Sequence, residues 1–155
     1  MKWLNKNTLR TKAGIFVFEV SPWGLYSVLF PKVRRPGFTR RDYERLSRAL
    51  QRRKLDLTGF TRFQRKVYAA LRKVPSGKTV TYSELARRAG FPGAARAVGS
   101  AMRMNRLPIV IPCHRVILSS GGLGEYSLGK KWKKKLLEHE APGGAEPQRS
   151  CRVTL

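Results

Sequence analysis

Charge constrains this chain more than any other feature of its sequence. Lysine and arginine number 33 against nine aspartates and glutamates, which gives a formal net charge of +24 over 155 residues. Because most of these cations can find no acidic partner, they must lie at the surface of a fold whose core comes from the remaining residues. Such a surface suits a polyanion such as nucleic acid, but ribosomal, DNA-packing and DNA-modifying proteins all share it. The charge therefore predicts the kind of partner and leaves the function open.

The rest of the composition predicts a folded protein without a structural metal. Hydrophobic residues make up 41% of the chain and aromatic residues 10%, enough for a packed core in one large domain or two small ones. No stretch approaches about 18 consecutive apolar residues and no secretory signal is evident, so we expect a cytoplasmic, nucleoid-associated protein with no membrane partner. Two cysteines and two histidines, all at or after Cys113, are too few for a disulfide framework or an N-terminal zinc site.

Residues 1–57 have the pattern of a small sheet followed by a helix. Within residues 13–30, two β-rich runs flank the turn-forming segment SPWG at 21–24, which predicts a hairpin. Residues 39–54 then show helical spacing, with Thr39 as N-cap and Asp42 at the capping-box position. Residues 31–54 hold ten lysines and arginines against two acids, and we interpret most of this charge as a solvated helix face. Together with a second surface cluster of cations over 130–135, it would attach the protein to nucleic acid in an unspecific and salt-sensitive way.

Residues 58–140 have a different character and contain a helix-turn-helix pattern. A capping box at 61–64 opens one predicted helix, a second begins at Thr81, and the turn FPG at 91–93 leads into a third over about 94–104. Small side chains dominate this third helix, which favours either close approach to another surface or tight packing in the core. Residues 141–155 begin with a Pro/Gly-rich segment and contain Cys151, so we predict a flexible tail.

The candidate chemistry lies at Cys113, in a stretch almost free of acids. Glu84 is the only acidic residue between Asp56 and Glu125, as a polyanionic substrate would require. His114 follows Cys113 within an apolar, strand-like run over 107–117. A cysteine attacks as the thiolate, so a base must take its proton. Taken alone, this pair is a weak signal, because a buried inert cysteine beside a structural histidine is the commoner case.

Residues 111–116 (IPCHRV) closely resemble the active-site signature of the O6-alkylguanine-DNA alkyltransferases, also called methylated-DNA–protein-cysteine methyltransferases. Further motifs of that family stand in register over about 58–140: Phe63-Gln64, VPSG at 74–77, Thr81-Tyr82, Leu85-Ala86, AARAVG at 94–99, Ala101-Met102, Asn105, Gly124, Tyr126-Ser127 and His139-Glu140. The resemblance implies a mixed α/β (α+β) fold. It has an N-terminal α/β domain (1–57), a mostly helical DNA-binding and alkyl-transfer domain (58–140) and a tail (141–155).

The resemblance also implies the chemistry. Cys113 would accept the alkyl group of O6-alkylguanine, or of O4-alkylthymine, in a stoichiometric and irreversible repair step. His114 resembles the family's base, which acts through a bridging water, and Glu140 resembles the carboxylate that orients it. Asn105 resembles the residue that braces the turn before the active-site strand, and Tyr82 the residue that crowds the phosphate and promotes rotation of the nucleotide.

The same resemblance implies how a monomer would engage double-stranded DNA. The damaged base must leave the stack to reach the thiol, and Arg96 resembles the side chain that fills the gap. Further residues of the third helix would contact the minor groove: Ala94, Ala95, Ser100 and Arg103. Others would line the substrate pocket: Met102, Pro108, Val116, Tyr126 and Ser127. No cofactor is implied.

Two other functions remain open at this point. One is a helix-turn-helix DNA-binding protein without chemistry, in which Cys113 is merely buried. The other is a cysteine hydrolase, although no oxyanion-hole motif is evident in the sequence.

Overall fold

A computed structural model of the protein describes residues 4–32 and 37–142. The strands are β1 (Asn5–Thr11), β2 (Gly14–Ser21), β3 (Gly24–Leu29), β4 (Val80–Thr81) and β5 (Val116–Ile117). The helices are α1 (Arg40–Gln51), α2 (Arg62–Arg72), α3 (Tyr82–Arg88), α4 (Ala95–Arg103) and α5 (Lys130–Glu140), with a 3-10 turn at Cys113–Arg115. The mixed α+β class is therefore confirmed, whereas Cys151 and all but the first two residues of the predicted tail lie outside the described residues.

The N-terminal sheet is antiparallel, in the order β1-β2-β3. The predicted hairpin is confirmed as β2 and β3, joined at the expected turn. Strand β1 was not predicted; it pairs with β2 from Asn5↔Val20 to Thr11↔Gly14. Most β1 side chains are polar and exposed, so this edge strand lacks the apolar alternation that identifies a half-buried strand.

Helix α1 begins at the predicted cap and packs against α5. The Thr39 side chain accepts a hydrogen bond from the Asp42 backbone N–H, and the Asp42 carboxylate accepts one from the Thr39 backbone N–H. Buried residues on one face of α1 include Tyr43, Leu46 and Leu50. An aromatic cluster with ring centroids 4.8–5.8 Å apart joins the sheet to α5: Phe16, Phe30, Phe38 and Trp132.

The helix-turn-helix is formed by α3 and α4, with α2 packed against both. The predicted capping box of α2 is present, with reciprocal hydrogen bonds between Thr61 and Gln64. The Thr81 side chain caps α3 by accepting from the Glu84 backbone N–H. The parallel pair β4–β5 brings Val80 beside Val116. This pairing places the start of α3 next to the segment that carries Cys113.

The prediction of a strand-like run over 107–117 was wrong except at Val116–Ile117. The preceding residues form successive turns, in which Ile109 has a φ of 73°. Pro108 and Pro112 cannot donate to a strand ladder. The Asn105 side chain also takes up two backbone groups, accepting from Leu107 N–H and donating to Ile111 O. The apolar composition of this segment reflects burial.

Arg106 fastens this segment to the N-terminal sheet. Its Nε donates to Tyr26 O at 2.7 Å, and one terminal nitrogen donates to Asp56 O at 3.0 Å and Thr58 O at 2.7 Å. The guanidinium carbon lies 4.2 Å from the centroid of the Tyr26 ring and 4.1 Å from that of Phe60. The Arg106 carbonyl also accepts from the backbone of β3. One side chain thus holds β3 and the loop before α2 against the turn that leads to Cys113.

We predict that Arg106→Ala lowers the free energy of unfolding by about 2–4 kcal/mol, because three backbone carbonyls and two ring faces lose their partner. Chemical denaturation measures the change. Arg103→Ala is the matched control, since the Arg103 side chain is exposed and donates to Ser100 Oγ at 3.4 Å. If the two variants were equally stable, that result would contradict the proposed role of Arg106 in holding β3 and the loop before α2 against the turn.

Candidate active site

Cys113 lies at the start of the 3-10 turn, with only 3% of its surface exposed. Its Sγ is 3.1 Å from Asn105 Nδ2 and 3.7 Å from the Tyr126 hydroxyl. Burial raises the pKa of the Cys113 thiol, and its hydrogen bonds with Asn105 and Tyr126 offset this only in part. The cysteine is therefore a thiol at neutral pH, and a base must remove its proton before it can attack.

His114 is buried completely and holds its proton on Nε2. This nitrogen lies 2.9 Å from Glu140 Oε1, and since the carboxylate can only accept, Nε2–H is the donor. Burial lowers the pKa of His114, and the hydrogen bond to Glu140 offsets this only in part. The imidazole is therefore neutral, and Nδ1 carries a lone pair. Nδ1 has no hydrogen-bond partner among the residues that the structure describes, so it is available as a proton acceptor.

Glu140 accepts hydrogen bonds from several elements of the fold. Arg115 donates from Nε to Oε2 at 2.8 Å and from a terminal nitrogen to Oε1 at 2.6 Å. The Gly77 backbone N–H donates to Oε2 at 3.3 Å, and the Tyr43 hydroxyl donates to Oε1. Burial alone would raise the pKa of Glu140, but the hydrogen bonds from His114 and Arg115 outweigh it and the pKa is lowered. The carboxylate is therefore ionised although it is buried.

A cavity of about 510 Å³ opens on Cys113. Its lining includes eight of the predicted site residues: Cys113, Tyr82, Arg96, Ser100, Met102, Arg103, Tyr126 and Ser127. Gly99, Leu118 and Glu125 complete the lining. The predicted relay and brace residues His114, Glu140 and Asn105 are buried near Cys113 and do not reach the cavity wall. The predicted pocket residues Pro108 and Val116 are also buried and are absent from the lining.

Helix α4 has one face packed in the core and one face exposed. Val98, Ala101 and Met102 are buried, and the Tyr68 hydroxyl donates to Ala101 O at 2.7 Å. Arg96, Ser100 and Arg103 are exposed at spacings of four and three residues, which places them on one side of the helix. Ala94 and Ala95 are partly exposed at its start. The outer face combines small side chains with two cations at the mouth of the cavity.

Three contributors to this region were missed in the sequence: Tyr43, Arg115 and Lys133. Lys133 was grouped with the surface cations of 130–135, but it is fully buried. Its Nζ donates to Val116 O at 2.6 Å and to Leu123 O, and burial lowers its pKa to about 8. The signal was available, because Lys133, Leu136 and Glu140 follow one another at spacings of three and four residues on one face of α5.

Residues 4–32 and 37–142 hold neither a cluster of metal-binding side chains nor a helix that could span a membrane. No group of three or more histidine, cysteine or acidic side chains comes together there to hold a metal ion. None of the helices in these ranges is long and apolar enough to cross a membrane.

Comparison with known proteins places this geometry in a family. The model of the 6-O-methylguanine DNA methyltransferase DNA-binding domain matches residues 62–142. The methylated-DNA–protein-cysteine methyltransferase of Methanothermobacter thermautotrophicus is 50% identical over 86 residues, or 56% of this chain and 48% of that protein. The human protein of the same name is 53% identical over 79 residues, or 50% of this chain and 38% of that protein. The chain thus spans about half the length, or less, of these curated relatives.

A solved structure extends the likeness to the N-terminal elements. The crystal structure of Mycobacterium tuberculosis OGT in complex with DNA superimposes with a TM-score of 0.70 at 35% identity, covering 88% of this chain and 94% of that one. The O6-methylguanine-DNA methyltransferase of Pyrococcus kodakaraensis has a TM-score of 0.64 at 26% identity. Since the family model covers over half of the chain and the structural match covers most of the rest, the chain belongs to the O6-methylguanine-DNA methyltransferase family.

Proposed function

We propose that the protein repairs duplex DNA by moving the alkyl group of O6-alkylguanine, and of O4-alkylthymine, onto Cys113. One observation carries the proposal. The Cys113 thiol lies on a cavity whose rim is the cationic face of α4, while the His114–Glu140 pair is buried behind it. A proton acceptor and a polyanion-binding surface thus meet at one nucleophile. The DNA complex of the Mycobacterium tuberculosis protein supports the choice of partner.

In the proposed reaction, the Cys113 proton passes through a bridging water to Nδ1 of His114. Glu140 holds Nε2–H and stabilises the imidazolium that forms. The thiolate attacks the alkyl carbon, so that an S–C bond forms and the C–O6 bond breaks, with its electron pair remaining on the guanine. Burial raises the pKa of Tyr82, so its hydroxyl keeps its proton at neutral pH and can donate to the departing purine.

The product explains why one molecule would act once. The thioether on Cys113 has no easy leaving route, and His114 is committed to Glu140 on its other nitrogen. Alkyl transfer would therefore consume the protein stoichiometrically. Asn105 would hold the turn before Cys113 and the Cys113 thiol in position, through its contacts with Ile111 O and Cys113 Sγ.

DNA would meet the protein at α4. A base inside the duplex cannot reach a buried thiol, so the damaged nucleotide must rotate out of the stack, with Arg96 in the gap and Tyr82 against its phosphate. The small residues of α4 suit the narrow minor groove, with contacts from Ala94, Ala95, Ser100 and Arg103. The flipped base would lie against Met102 and Tyr126, with a further contact from Ser127, while Pro108 and Val116 would support the cavity wall from behind.

Cations outside the cavity would attach the protein to DNA without regard to sequence. Arg41, Arg45, Arg48 and Arg52 are exposed at spacings of four, three and four residues. They form one stripe along α1, on the side away from its buried residues, over roughly 16 Å. Contacts of this kind are made to phosphates and weaken as salt rises. We propose a monomer that scans DNA in the cytoplasm, in association with the nucleoid, with the domain boundaries predicted above.

The first prediction is that a duplex containing O6-methylguanine adds one methylene unit to the mass of the intact protein, located at Cys113. Cys113→Ser should bind the same duplex within about twofold and gain no mass, because it lacks the thiolate. Intact-mass spectrometry and peptide mapping measure the gain. Absence of the gain in the native protein would favour a DNA-binding protein without chemistry. Turnover exceeding the amount of protein would favour a hydrolase.

The second prediction concerns rotation of the nucleotide. Arg96→Ala should slow transfer from duplex DNA by at least about tenfold, but change the reaction with free O6-benzylguanine by less than about twofold, since the free base needs no flipping. Single-turnover kinetics on both substrates measure the effect. Arg10→Ala is the control, since it removes the same charge from the exposed edge of β1. Equal losses on the two substrates would refute a flipping role.

A further inference from the structure

A side chain from the N-terminal part of the chain reaches the buried carboxylate behind Cys113. Tyr43 lies on α1, 97 residues before Glu140, and its hydroxyl donates to Glu140 Oε1. The same oxygen accepts from His114 Nε2 at 2.9 Å. Tyr43 is only 7% exposed, so this contact is part of the interior.

The fold holds the Tyr43 hydroxyl in place from several sides. Tyr43 shares the buried face of α1 with Leu46 and Leu50, and the capping box at Thr39 fixes where that helix begins. Its ring stacks on His139, with centroids 6.3 Å apart and planes at 27°. Burial raises the pKa of Tyr43, and the negative charge of Glu140 raises it further. The Tyr43 hydroxyl therefore stays protonated and can only donate to the carboxylate.

Hydrogen bonds to one carboxylate oxygen compete with each other. A second donor to Oε1 reduces the negative charge that this oxygen can use to stabilise a protonated His114. Other charged groups act on this imidazole from the elements around it. Arg115 lies on the same turn, while Glu140 and Lys133 approach from α5. Of these, only Glu140 favours the charged imidazole, so anything that occupies its oxygen lowers the basicity of His114.

We propose that Tyr43 is a positioning residue that acts through Glu140 to restrain the basicity of His114, and so the reactivity of Cys113. This proposal rests on the proposed function only in taking His114 as the base for the thiol. A protein that reacts once loses its function to any stray electrophile. A restrained base keeps Cys113 protonated until a substrate occupies the cavity, and α1 thereby contributes to the chemistry as well as to the core.

Reaction of Cys113 with iodoacetamide tests this without DNA. The native full-length chain and Tyr43→Phe are alkylated over pH 5–9, and peptide mass spectrometry follows Cys113 separately from Cys151. The alkylation rate of Cys113 should rise with pH as His114 loses its proton (the acid limb) and then reach a plateau. In Tyr43→Phe, the pH at the midpoint of the acid limb should be higher by about half a unit, and the plateau rate should be higher by about threefold. Below the midpoint the two rates should coincide, since there the gain in basicity is cancelled by the protonation of His114. An unchanged or lowered midpoint would overturn the proposal.

Control variants separate this effect from general damage. Tyr68→Phe removes an equally buried hydroxyl, which donates to Ala101 O and not to Glu140, and should leave the midpoint in place. His114→Gln should abolish the acid limb, and retention of that limb would overturn the proposal by removing the base. NMR titration of the His114 ring should show the same upward shift of its pKa in Tyr43→Phe. Methyl transfer from duplex DNA, measured in parallel on the native protein, tests the proposed function independently.

Discussion

The buried carboxylate of Glu140 is the interaction on which the rest of the structure depends. An ion in the protein interior is costly unless charged or strongly polar partners surround it. Here the partners come from separate elements: Arg115 and His114 from the 3-10 turn, Gly77 from the turn after α2, and Tyr43 from α1. The charge can stay buried only when these elements are all in place, so Glu140 couples the assembly of the fold to the assembly of the site.

The same hydrogen bonds to Glu140 therefore contribute both to the fold and to the proposed chemistry. Glu140 holds the imidazole with Nε2 protonated and Nδ1 open, and the hydrogen bonds from His114 and Arg115 keep the carboxylate ionised. Arg106 performs a related task on the other side of Cys113, where it fastens the turn after Asn105 to β3 and to the loop before α2. The N-terminal elements therefore act as the frame that fixes the thiol and its base.

The sequence predicted those features that depend on local chemistry. The capping boxes of α1 and α2, the β2–β3 turn and the helix-turn-helix all follow from side chains within a few residues of each other, and all are confirmed. It failed at β1, a polar edge strand, and at 107–115, where prolines and the Asn105 side chain override an apolar, β-branched pattern. Apolar composition indicates that a segment is buried. It cannot distinguish a buried turn from a buried strand when side chains, such as that of Asn105, are the partners of the backbone hydrogen bonds.

The candidate site was predictable only in part for the same reason. Cys113, His114, Asn105 and Glu140 were identified through family resemblance, since 26 residues separate His114 from Glu140 and no spacing rule links them. Tyr43 comes from a region where the resemblance was only an outline, and its role depends on how α1 sits against α5. Lys133 was misplaced because a run of lysines was interpreted as surface without regard to its helical phase.

The most direct test of the Glu140-centred relay is the single-turnover rate of methyl transfer by Glu140→Gln, under conditions where circular dichroism shows the variant to be folded. Glutamine preserves the shape of the side chain but removes the charge that stabilises the His114 imidazolium. The relay predicts a rate at least about 100-fold slower than that of the native protein, with duplex affinity within about twofold. A folded Glu140→Gln protein that transferred the methyl group at the native rate would contradict it.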